Sequence, residues 1–145
     1  MSGLRWRDDE GNAVLEVALL APVLLVPLVW LAVSVAVVTT AHSAVISAAR
    51  QAARAYVLAP DARSAGSQAR QVAVAVLATN GRQFRQHSVR ITCNTACLTP
   101  NSRVDIRVSA VVTLGFIPIP FRSSPSVTIV ATQSALVDPY RNPTP

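Results

Sequence analysis

The stretch that decides the fold is Val17–Val57, VALLAPVLLVPLVWLAVSVAVVTTAHSAVISAARQAARAYV. Its first twenty-two residues, Val17 to Val38, carry no charge. A helix rising ~1.5 Å per residue needs about 20 apolar residues to cross the hydrocarbon core of a bilayer, so this run is long enough to span one. A soluble core helix seldom has to be apolar on every face. Beyond Val38 the helical pattern continues but changes character. Ala41, Ala44, Val45, Ala48, Ala49, Ala52, Ala53, Tyr56 and Val57 recur at spacings of three and four. Ser43, Ser47, Arg50, Gln51 and Arg54 take the opposite face. One long helix is therefore predicted, half of it in a membrane (residues 12–39) and half of it amphipathic. A cleaved secretory signal, cut near Thr39-Thr40-Ala41, is the rival for the same run. Such signals have apolar regions of only ~7–15 residues, and the stripe past Thr40 favours a retained anchor.

Upstream of the span, Met1–Glu10 holds Arg5 and Arg7, then Asp8-Asp9-Glu10. Glu16 stands at the start of the apolar run. A carboxylate is costly at mid-bilayer and less so near its edge. It can snorkel to the headgroups or favour the positive end of the helix dipole. Alternatively, it can pair with a cation of a neighbouring subunit. Pro22 and Pro27 each remove a backbone donor, freeing the carbonyls of Ala18 and Val23, so they are expected to kink or loosen the anchor.

Composition agrees with one anchored domain. The chain has 145 residues, is 51% hydrophobic, and has a net charge of +6 in which every basic residue is Arg. The arginines are scattered and have no interleaved aromatics, which argues against nucleic acid as partner. Only two cysteines occur, Cys93 and Cys97. An even, closely spaced pair suits a disulfide in an oxidising compartment and places the C-terminal part outside the cytoplasm, the N-terminus inside. A redox pair would call for two-residue spacing at a helix start, and a metal site would need further ligands, so no cofactor or metal is expected. His42 and His87 are isolated and are expected at the surface.

The extracytoplasmic part, residues 40–138, is predicted to be α+β. Pro60-Asp61 suits the start of a second helix, whose apolar face is Ala65, Ala69, Val72/Ala73 and Val76/Leu77 and which Asn80-Gly81 ends. After Ser88 the period becomes two. Val89, Ile91 and Cys93 form one series, Val104 to Val112 a second, and Val127, Ile129 and Ala131 a third. Three such strands imply a small antiparallel sheet with one face buried against the alanine stripe. Asp105 is expected to pair with Arg103 and Arg107 on the other face. Leu114–Phe121, LGFIPIPF, is an apolar loop, either covered or open to a partner. Residues 139–145 are expected to be an irregular tail. With three carboxylates in this part and neither a nucleophile elbow nor a phosphate loop, an enzyme is not expected.

The run Glu10-Gly11-Asn12-Ala13-Val14-Leu15-Glu16-Val17, followed by Ala-Leu-Leu-Ala-Pro and aliphatic residues, resembles the TadE-like proteins, pilin-related proteins of tight-adherence (Flp-type) pilus systems. The Ala48–Ala55 stretch, the close cysteines and the tail resemble the actinobacterial minor pilins of that family in outline. The resemblance implies that residues 1–11 are a leader cut by a prepilin peptidase between Gly11 and Asn12. Glu16 would then be the fifth residue of the mature chain, facing the free amine of a neighbouring subunit. Asn12 departs from the aromatic residue that major pilins often place there, which points to a minor subunit. The implied role is a structural one in Tad pilus assembly, with the membrane, the peptidase, other pilus subunits and the assembly platform as partners. The alternative from composition is an anchored module whose arginine-rich face binds an anionic polymer or lipid of the cell envelope, or a protein partner.

Overall fold

The structure is a computed structural model that describes residues 10–79, 84–114 and 125–141, with side chains from Leu15 onward. The leader residues before Glu10, the expected helix stop at Asn80-Gly81, the loop beyond Leu114 and the last four residues lie outside the described residues. The order of elements is α1 (Glu10–Leu58), α2 (Ala62–Thr79), β1 (Phe84–Cys93), β2 (Arg103–Thr113) and β3 (Ser126–Leu136). This is the α+β arrangement expected from the change of period. The chain divides into two compact units, Met1–Val35 and Ala36–Pro145.

Within the first unit α1 is apolar all round. Leu15, Val17, Leu19, Leu24 and Leu28 are each more than 60% exposed. A helix with this surface is long and apolar enough to cross a membrane, with a mean hydropathy of 2.5 over its most apolar window. Pro22 and Pro27 both lie inside α1, and the helix runs through them.

The second unit holds the core. Here α1 buries Ala41, Ala44, Val45, Ala48, Ala49, Ala52, Ala53 and Tyr56, the stripe read from the sequence. Alanine carries little side-chain bulk, so facing elements can pack close to the backbone at low rotamer-entropy cost. α2 adds Ala65, Ala69, Ala73 and Leu77 to the same cluster. Its start is set by Asp61, whose Oδ1 accepts hydrogen bonds from the amides of Arg63 (2.9 Å) and Ser64 (2.8 Å). Those are two of the donors that a helix N-terminus leaves unpaired.

The sheet has the order β1-β2-β3, and both pairs are antiparallel. The central strand β2 sends Val104, Ile106, Val108, Ala110 and Val112 into the core, none more than 1% exposed. On β3, Ile129 and Ala131 face the same way. Val127 shares their side by register but remains 38% exposed, so its expected burial is only partial. β1 begins at Phe84, several residues before the expected Val89. Residues 85–88 are Arg-Gln-His-Ser and all exposed, so they carry no apolar alternation to read. A register shift between Phe84 and Gln86 makes Arg85 a bulge residue.

Candidate functional site

Gly11 and Asn12 fall in the first turn of α1, which begins at Glu10. Glu16 lies four residues beyond Asn12, about 6 Å along the axis at the usual helical rise. Its side chain is exposed beside Leu15, Leu19 and Leu20. Among the described residues no basic group forms an ion pair with it. A carboxylate in this setting is an unpartnered anion at the rim of a wholly apolar surface. The hydroxyls further along α1 are satisfied locally. Ser34 Oγ donates to Trp30 O (2.8 Å), Thr39 Oγ1 to Ala36 O (3.0 Å) and Ser43 Oγ to Thr39 O (2.7 Å). Such back-bonding lets polar residues sit in an apolar medium without a free donor.

Pro22 and Pro27 leave Ala18 O and Val23 O without their usual i+4 amides, so this part of α1 has fewer internal bonds than a helix of its length. Glu16 and the two prolines all lie within the first unit.

Cys93 and Cys97 are joined in a disulfide, with Cα atoms 5.5 Å apart. The bridge closes the turn after β1, which the side chain of Asn94 also fastens: Asn94 Oδ1 accepts from the amide of Arg103 at 2.8 Å. Leu98 and Asn101 adopt left-handed φ values of 64° and 61° in this connection. Cys93 Sγ lies 3.9 Å from the hydroxyl of Tyr56. Burial pushes the Tyr56 phenol above its ordinary pKa. Among the described residues no three His, Cys, Asp or Glu side chains gather as a metal cluster would need. His42 and His87 are exposed and far apart in the chain.

Two features escaped the sequence. Arg141, assigned there to an irregular tail, donates from Nη1 to Val57 O (2.6 Å) and from Nη2 to the carbonyls of Ala59 and Pro60. It thus pairs with carbonyls at the C-terminal end of α1, where a cation also suits the helix dipole. No motif could announce this, because the partners are main-chain atoms. On the outer face of the sheet, Arg90 of β1 stands directly opposite Arg107 of β2. Asp105 lies 3.9 Å from Arg103 and accepts a hydrogen bond from Ser134 Oγ (2.5 Å). The expected triad is therefore a pair, and Arg107 has no part in it.

In comparison with protein families, residues 11–54 match the TadE-like protein model. No curated protein and no solved structure matches the chain. The matched segment opens at Gly11 and includes Glu16, both prolines and most of the alanine stripe, while α2 and the sheet lie beyond it. Over residues 11–54, the chain is similar to the TadE-like proteins.

Proposed function

We propose that the chain is a minor pilin or pseudopilin that takes part in assembling a Tad-type pilus. In this reading the first part of α1 anchors the chain in the membrane with the N-terminus in the cytoplasm, and the disulfide-bearing unit lies outside. A prepilin peptidase removes residues 1–11, and Asn12 then carries a free amine. The observation that carries the reading is Glu16: an exposed carboxylate, without an ion-pair partner among the described residues, at the head of the uncharged run Val17–Val38, in a family match that opens at Gly11. In an apolar medium a lone carboxylate is costly, and an opposite charge supplied by a neighbouring subunit offsets much of that cost. In the uncut chain the Asn12 nitrogen is a neutral amide, so only cleavage supplies the positive partner. The surface of α1 between Leu15 and Val35 then packs against other helices instead of lipid. The proline-thinned bonding near Ala18 and Val23 lets this part of the helix adjust as its surroundings change.

The test is the N-terminus of the protein extracted from membranes of a host that expresses the pilus system. Edman degradation or intact mass is expected to place it at Asn12. An N-terminus at Met1 or Ser2 in assembled material would overturn the processing step and with it the pilin reading.

A further inference from the structure

Beyond Val35 the chain holds eleven arginines and three aspartates, a net charge of +8 with histidines neutral. All three aspartates are engaged locally. Asp61 accepts the first amides of α2, Asp105 bonds Ser134, and Asp138 Oδ1 accepts from the amide of Tyr140 at 2.8 Å. The outer face of the sheet nevertheless gathers like charges. Arg90 and Arg107 are cross-strand partners, both exposed, and among the described residues neither forms an ion pair. Directly opposed like charges destabilise a sheet. Arg103 lies four residues before Arg107 on the same face, about 13 Å along the strand, with Asp105 between them and 3.9 Å from Arg103. Hydroxyls flank the pair: Thr132 stands opposite Arg107, Thr92 and Ser134 stand on either side of Asp105 in the next row, and in the row beyond the pair Ser88 Oγ meets Ser109 Oγ at 2.7 Å. Past that serine pair, Arg85 at the bulge, Gln86 and His87 border an open depression.

We infer that this outer face binds a linear phosphodiester polymer, with Arg90 and Arg107 as its central contacts. Each guanidinium fork matches two oxygens of an anionic group, and neighbouring hydroxyls supply further donors. A flexible polyanion can place one charge on the Arg90–Arg107 pair and the next on Arg85, on the side of the pair away from Asp105. Among the described residues this face carries no aromatic side chain, a residue type that concentrates with arginine at the centre of a protein interface. It thus lacks the aromatic platforms on which sugar rings or nucleobases stack. A polyol phosphate chain needs neither. This inference is independent of the pilus reading, because it concerns residues outside the TadE-like segment.

The experiment uses the full chain in nanodiscs of zwitterionic lipid, titrated with linear poly(glycerol phosphate) at two salt concentrations. Binding is expected to weaken at higher salt. R90Q/R107Q is expected to weaken it by about tenfold or more, the loss of charge-assisted bonds at two positions. R63Q/R70Q, which removes the same charge from the exposed side of α2, is expected to change it less than about twofold. Because R90Q/R107Q relieves a repulsion, its melting temperature should not fall, so lost binding is not lost fold. Equal weakening by both double variants would reduce the effect to net charge and overturn the site. Unchanged binding in R90Q/R107Q would do the same. So would tight binding of duplex DNA or anionic lipid vesicles with none of the polymer.

Discussion

Asp61 shows how one side chain sets an element boundary. Its carboxylate is held below its usual pKa near 3.8, first by the backbone amide of Ser64 and then by the Ser64 hydroxyl. A depressed carboxylate contributes stability that is present above its unfolded pKa and lost as pH falls through the folded one. The first turn of α2 should therefore fray below about pH 4, which amide exchange at Arg63 and Ser64 can follow. Asp61→Asn keeps the accepting oxygen but not the charge, so its exchange should be flatter with pH over that range. If the D61N profile tracks the wild type, the carboxylate is not the titrating cap. Asn101 shows a complementary rule: Asn tolerates the left-handed region better than most residues, so this turn was open to a sequence reading. Leu98, also left-handed, was not. Its side chain is buried against the core, and burial outweighs local preference there.

Elements were legible where apolar side chains repeat with the period of the local backbone. β2 alternates from Val104 to Val112 with hardly a break, and the stripe of α1 repeats at three and four, so both were read with nearly their observed faces. The first half of β1 was not, because Arg85 bulges, Gln86 to Ser88 pair with β2 through backbone atoms, and all four leave only polar side chains in view. The Arg90–Arg107 pair was hidden for a different reason: its register is set by the length and path of the connection from Asn94 to Ser102, and a shift of one residue there changes every cross-strand neighbour. Arg141 was hidden because its acceptors, the carbonyls of Val57, Ala59 and Pro60, lie over eighty residues away and have no sequence signature. Its contribution can be measured. Arg141→Ala strips three carbonyls of a charged donor while leaving them near solvent, and should cost about 1–2 kcal/mol. For a unit of this size that is a fall of several degrees in melting temperature. Arg141→Lys should recover part of the loss, since an ammonium lacks the planar fork that spans several acceptors. A melting temperature unchanged in Arg141→Ala would mean that the tail does not secure the end of α1.

At the scale of the whole molecule, the two units solve different solvation problems. The sheet unit buries its apolar side chains within itself, with Ile106 and Val108 fully enclosed. Residues 15–35 bury almost nothing internally and depend on lipid or on other helices. Either environment hides the leucines and valines equally well, so hydrophobicity cannot decide between them. In the proposed assembly Glu16 can, because lipid offers a carboxylate only the headgroups to snorkel to, whereas a processed neighbour would offer an amine. Glu16→Ala should therefore leave membrane insertion intact, or improve it slightly. Incorporation into pili or pilus subcomplexes should fall by about tenfold or more, on the order of the ~1.4 kcal/mol or more that a desolvated charge pair contributes. Glu16→Gln separates charge from shape: it keeps the length and the acceptor but not the anion, so it should fail as Ala does. Cross-linking between cysteines introduced near Glu16, in membranes and in sheared pili, distinguishes the two pools. If both variants assemble at wild-type levels, the carboxylate is no assembly contact. Glu16 would then be a headgroup anchor, and the pairing with Asn12 would be excluded even where the leader is cut.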